Sequence, residues 1–131
     1  MKPILIPESL KIGHELIDSQ HQRIVDHIVS LGARNGAALR PDLDARLGEL
    51  RDLEREHFRA EERIMRSAGF DGLAEHITHH ENCLSLLDGK IARILENSAI
   101  SEQDLSDLLA LFLEDVFKVD LKFQEFLVGQ K

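Results

Sequence analysis

From Asp42 to Lys131 the chain contains no proline, and the stretch between Pro7 and Pro41 contains none either. Proline breaks a helix interior by removing a donor and crowding the preceding turn, so its absence permits long helices here. The apolar residues in these stretches recur with a helical period, and no segment alternates with the period of a strand. Four segments emerge. The first covers about residues 18–39, with Ile24, Val25, Ile28 and Leu31 on one face, and the second about 42–66, with Leu43, Leu47, Leu50, Leu53, Phe58 and Ile64. The third covers about 73–96, with Ile77, Leu84, Leu87, Ile91 and Ile94, and the fourth about 101–127, with Leu105, Leu109, Phe112, Leu113, Val116, Phe117 and Phe123.

The joints carry helix punctuation. Arg40-Pro41-Asp42 separates the first two segments, and Gly69 stands where a left-handed residue would end the second. Ser101-Glu102-Gln103-Asp104 reads as a capping box opening the fourth. Short connections between long helices favour antiparallel neighbours. The expected fold is therefore all-α, an up-down antiparallel four-helix bundle. It forms a single domain over residues 1–131, with 18–131 the bundle and 1–17 a non-helical N-terminal arm. That arm is expected to pack Ile4, Leu5, Ile6, Leu10 and Ile12 across the bundle.

Composition narrows the function. Asp plus Glu number 24 against 16 Lys plus Arg, a formal charge of −8, which disfavours nonspecific binding to nucleic acid or anionic membranes. No apolar run is long enough to span a bilayer, and the short, proline-bounded N-terminus does not read as a signal peptide. Cys83 is the only cysteine, so no internal disulfide forms, and a reducing, cytoplasmic compartment is expected.

Histidine is the informative residue. His57 and Glu61 are four apart on the second segment, and His76 and His80 four apart on the third, so each pair shares a helix face with neighbouring leucines. His21 falls in line with Ile17, Ile24 and Ile28, and Asp120 in line with Leu113, Val116 and Phe117. Every helix thus aims a histidine or a carboxylate into its own apolar stripe. A single buried imidazole is usually a hydrogen-bonded core residue. Six ligand-type groups from four helices point instead to metal, because a cation satisfies all of them at once. Mixed imidazole and carboxylate suits iron, zinc or manganese, and six groups exceed one tetrahedral zinc site, so two ions are expected.

Ile17-Asp18-Ser19-Gln20-His21, His57-Phe58-Arg59-Ala60-Glu61-Glu62, His76-Ile77-Thr78-His79-His80 and Asp120 together resemble the hemerythrins, in particular the bacterial hemerythrin-like proteins. The resemblance covers nearly the whole chain. It implies a four-helix bundle holding a non-haem di-iron centre that reversibly binds O2. His21 and His57 would serve one iron and His76 and His80 the other, with Glu61, Asp120 and an oxo or hydroxo group bridging them. The family's last helix carries His five residues before its Asp, where this chain has Asp115, and the family's tryptophan is replaced by Leu111. Asp115 lies 140° from Asp120 on an ideal helix. Either it is a solvated surface residue, leaving one iron an open position, or it ligates iron, which would need a close approach or a local π-bulge.

Other residues receive blander readings. His14, His27 and His79 are expected to be solvated, Glu62 to be a surface charge, and Asp18 to cap the first helix rather than orient His21. Cys83 reads as a buried apolar residue, with a redox-active thiol as the sharper alternative. An apolar wall including Leu113 would shield the irons. The leading function is O2 binding for storage, delivery or sensing, with O2 or another small diatomic or peroxide as ligand. The alternative is a di-iron redox enzyme of peroxidase, oxidase or nitric-oxide reductase type, to which a carboxylate at position 115 would incline it. A ferritin-like site built on Glu54-x-x-His57 finds no second Glu-x-x-His elsewhere and leaves His76 and His80 without a role. An unidentified protein partner is left open, as for a signalling module.

Overall fold

The computed structural model describes residues 11–32, 40–116 and 120–129. They form helices α1 (Glu15–Gly32), α2 (Arg40–Ala68), α3 (Leu73–Glu96), α4 (Glu102–Asp115) and α5 (Leu121–Gly129), with no strand among the described residues. None of these helices is long and apolar enough to cross a membrane. The expected arm residues Ile4, Leu5, Ile6 and Leu10, the 33–39 end of the first segment, and Phe117 lie outside the described residues. Ile12 is buried, as expected of the arm.

Several helix ends follow from local chemistry. At the end of α2, Gly69 has φ +73°, its N–H donates to the Arg66 carbonyl at 3.1 Å, and Phe70 N–H donates to Met65 at 3.0 Å. That pair of bonds is a Schellman motif, which satisfies carbonyls the helix would otherwise leave open. At the start of α4, Ser101 Oγ accepts from Asp104 N–H at 3.0 Å and Asp104 Oδ2 accepts from Ser101 N–H at 2.9 Å, closing the capping box. Three boundaries differ from expectation. Pro41 lies inside the first turn of α2, a position where its missing N–H has no intrahelical partner to lose. α1 starts at Glu15, and Asp18 does not cap it. Its carboxylate instead accepts the N–H groups of Ile12 (2.8 Å) and Gly13 (3.1 Å), tying the arm to the first turn.

The third boundary divides the expected fourth helix into α4 and α5, and Val116 and Asp120 are π-helical. Asp115 and Asp120 are both buried, at 3% and 1% exposure. On an ideal α-helix a five-residue spacing would separate them by 140°, whereas a π turn closes over five residues and returns them to a common side.

α1 packs on α2 and α4, and α3 packs on the same two helices. Two apolar clusters fill the interior. The larger joins Ile24, Ile28, Leu47, Leu50, Leu87, Ile94, Leu108 and Phe112, among others; the smaller joins Ile12, Ile17, Met65 and Phe123. The helices run between the clusters: α1 from Ile17 to Ile28, α2 from Leu47 to Met65, α3 towards Ile94, and α4–α5 from Leu108 to Phe123. Each helix carries its buried polar residues at the middle of that course, so a polar layer lies between the two clusters.

Candidate metal centre

The polar layer is built from His21 on α1, Glu54, His57 and Glu61 on α2, His76 and His80 on α3, and Asp115 and Asp120 at the α4–α5 junction, all buried. The i,i+4 spacings place His57 with Glu61 and His76 with His80, as the helical period requires.

The two carboxylates divide their oxygens between two pairs of imidazoles. Glu61 Oε2 lies 3.2 Å from His57 Nε2 and 3.9 Å from His21 Nε2. Glu61 Oε1 lies 2.6 Å from His76 Nε2 and 3.1 Å from His80 Nε2. Asp120 repeats the division, with Oδ2 3.0 Å from His21 Nε2 and Oδ1 3.0 Å from His76 Nε2. His21 and His57 approach each other through their Nε2 atoms at 3.0 Å. Two groups of donor atoms result, His21–His57–Glu61–Asp120 and His76–His80–Glu61–Asp120, each compact enough to hold a cation and sharing both carboxylates.

Outer partners orient the rings. His57 Nδ1–H donates to Gln20 Oε1 at 2.8 Å and His80 Nδ1–H to the Glu62 carboxylate at 2.6 Å. A ring held by its Nδ1–H presents Nε2 to the site, which is how ligand histidines are usually fixed. Glu62 is therefore not the free surface charge that its position on α2 suggested. Phe58 stacks on His80 with ring centroids 3.9 Å apart, and Phe112 meets His21 edge-on at 5.3 Å.

Burial opposes protonation of His21, His76 and His80, but carboxylates outweigh it and raise all three: Asp120 and Glu61 for His21 and for His76, which reaches about 10, and Glu61 with Glu62 for His80. Burial likewise opposes ionisation of Glu61, yet the imidazoles of His57, His76 and His80 hold its carboxyl well below the usual range. Asp120 is raised to about 6 by burial and by the charges of Glu61 and Asp115. Glu54, also buried, is raised to about 8 by burial and by Asp115, so it carries a proton at neutral pH.

Asp115 is not a surface residue, but neither does it join the two donor groups. Its Oδ1 lies 3.1 Å from His79 Nε2 and 3.8 Å from Cys83 Sγ. His79 was expected in solvent. It is only 24% exposed, because the face of α3 one step from His80 meets α4. His27 is half-buried and bonds the Arg46 carbonyl at 2.7 Å, which corrects its solvated reading too. Burial, followed by the charges of Asp115, Glu54 and Asp120, pushes the Cys83 thiol far up, so it is not an activated thiolate. A crevice too narrow for a water molecule adjoins His57, lined by Ile24, Glu54, Phe58, Cys83, Leu111, Phe112 and Asp115. Leu111 forms that wall, whereas Leu113 packs against the larger core cluster.

The family model described as "Hemerythrin HHE cation binding domain" matches residues 12–127. Bacteriohemerythrin of Stenotrophomonas maltophilia (strain R551-3) is 32% identical over 74 residues, 56% of this chain and 48% of that protein. Hemerythrin subunit 2 of Golfingia vulgaris is 29% identical over 86 residues, 66% of this chain and 69% of its own length. Myohemerythrin of Sipunculus nudus is 29% identical over 87 residues, covering 66% and 68%. The match thus spans about half of the bacteriohemerythrin and about two thirds of the other two.

Proposed function

The chain belongs to the hemerythrin HHE family, and on that premise we propose that it is a non-haem di-iron protein that binds O2 for storage, delivery or sensing. The observation that carries this reading is the division of Glu61 and Asp120 between two imidazole pairs. The donor chemistry fits a pair of cations. Glu61 Oε2 and both Asp120 oxygens are buried and lie 3.0–3.2 Å from imidazole Nε2 atoms without hydrogen-bond geometry, an arrangement of facing donor atoms that cations would satisfy. In this assignment His21 and His57 would hold one iron and His76 and His80 the other, with Glu61 and Asp120 offering carboxylate oxygens to both. Asp115 stands with His79 and Cys83, which leaves the second iron one imidazole short of the family pattern. The course of the helices between the two apolar clusters supports the up-down antiparallel four-helix arrangement that the family implies.

A bound pair of irons supplies the two electrons that O2 takes up. The protein's own residues do the rest. Gln20 and Glu62 fix the His57 and His80 rings, and Phe58 and Phe112 cover the imidazoles against water. The closed crevice beside His57 limits the entry of water and protons that would favour irreversible oxidation.

A second reading, a di-iron redox enzyme, draws support from one feature. The Glu54 carboxyl holds a proton at neutral pH in that same crevice, where a pure oxygen carrier is served best by apolar groups. Elemental analysis of iron-supplied protein tests the common premise: two irons per chain are expected, and no iron, or one zinc alone, overturns it. Mixing the reduced protein with O2 separates the two functions. A spectrum that reverses on removing O2 marks a carrier or sensor, and one that decays with consumption of reductant marks the enzyme.

A further inference from the structure

Outside the two donor groups, the described residues hold one more set of metal-ligating atoms: His79 Nε2, Cys83 Sγ and Asp115 Oδ1. His79 and Cys83 are four apart on α3 and so share a face, and α4 brings Asp115 against it. The three separations are 3.1 Å for nitrogen to oxygen, 3.3 Å for nitrogen to sulfur and 3.8 Å for oxygen to sulfur. A tetrahedral zinc ion with ordinary bond lengths spaces such donors about 3.3–3.6 Å apart, so each observed edge is within roughly 0.3 Å of what a single ion requires. Cys83 and Asp115 are buried, and His79 stands at the outer side. There a cavity of about 40 Å³ opens, lined also by Asn82, Leu86 and Glu114, with room for a water as a fourth ligand.

We propose that His79, Cys83 and Asp115 form a third metal site, separate from the di-iron centre, that takes one zinc-type divalent cation and leaves a fourth position open to the cavity. The donor set selects the ion. A thiolate with imidazole and a single carboxylate favours zinc or cobalt(II) over magnesium or calcium. Binding exchanges the Cys83 proton for the metal, and the proton goes to solvent through the cavity. The carboxylate of Asp115 lowers the cost of bringing a cation to this partly buried place. The site also sits in the wall between two spaces, because Cys83, Leu111 and Asp115 line both the outer cavity and the closed crevice beside His57. Three protein ligands and an open position mark a site able to exchange metal or accept an exogenous ligand, rather than a closed structural one.

The experiment is titration of iron-loaded, thiol-reduced protein with cobalt(II). Because Cys83 is the only cysteine, a sulfur-to-cobalt charge-transfer band has a single origin. One cobalt per chain is expected to give that band with no loss of iron, and one equivalent of zinc should abolish it. Cys83→Ala should remove the band entirely, while His79→Ala and Asp115→Asn should each weaken cobalt binding at least tenfold. No band in folded wild-type protein overturns the proposal. So does a band whose strength and affinity survive both His79→Ala and Asp115→Asn, for that is adventitious binding by a thiol. Iron content is read independently, so a failed di-iron assignment and a failed third site give different results.

Discussion

Glu62 offers the sharpest test of how the centre is built, because its only described role is to hold one ring. The His80 Nδ1–H bond to its carboxylate is 2.6 Å long, and the Glu62 side chain is 22% exposed. As an isolated, solvent-screened pair this contact would contribute about 0–1 kcal/mol to stability. As the outer partner of a metal-binding histidine it contributes more, since removing such a partner costs roughly 10–100-fold in metal affinity, or about 1.4–2.7 kcal/mol. Glu62→Ala should therefore cost little in metal-free protein and the larger amount once iron is bound. When metal is in excess, a loss of affinity appears as an equal loss of folding stability. At about 4 °C per kcal/mol for a domain of this size, the extra fall in Tm is roughly 5–10 °C in the iron-loaded protein alone. Paired thermal melts with and without iron, together with competition for iron by a chelator, measure both quantities. Glu62→Gln keeps an acceptor but not the charge and should fall between wild type and Glu62→Ala. Equal Tm losses in both states, with unchanged iron affinity, would refute the argument and reduce Glu62 to an ordinary surface partner.

Three further outcomes follow from the buried charges. His76 is raised to about 10, so in metal-free protein it carries a proton at pH 7; iron loading should release protons at pH 7, seen with an indicator dye, and the His76 share should vanish above pH 10. The same shifts shape metal-free stability. The raised His76 contributes fully below its unfolded value near 6.5 and loses that contribution as pH rises through about 10, whereas the depressed Glu61 contributes above its unfolded value near 4.5 and loses it as pH falls through its lower folded one. Stability should decline at both ends, and a metal-free melt that is flat across that range contradicts the coupling. Finally, Asp115→Asn should lower the Glu54 pKa from about 8 while leaving it above 4.5, because the charge repulsion goes and the burial stays; carboxyl carbon NMR titration reads the shift.

Much of this arrangement is legible in the chain because a helix fixes relations within itself. His57 with Glu61 and His76 with His80 follow from spacing alone, as do the termination at Gly69 and the capping box at Ser101. The interruption of each apolar stripe by a buried ligand-type residue is equally local. No neighbour needs to be known for it to signal a polar layer crossing the bundle.

What spacing does not carry is which faces of different helices meet. Gln20, Glu62 and His79 each stand one step from a residue on the inward stripe, so a projection of one helix assigns them to solvent. Contacts between helices decide otherwise. Gln20 reaches His57 across α1 and α2, Glu62 reaches His80 across α2 and α3, and His79 reaches Asp115 across α3 and α4. A polar residue adjoining a ligand in sequence, with an acceptor or second donor to offer, is the signal that would have found the first two. Asp115 is the harder case, because the apolar period does not carry its burial. Val116 and Asp120 are π-helical, and Asp115 and Asp120 are both buried, although on an ideal helix their spacing would send one of them to solvent. The spacing of Asp115 and Asp120 posed the choice between a solvated residue and an iron ligand, and the burial of Asp115 beside His79 and Cys83 rests on contacts between α3 and α4 that no spacing along one helix carries.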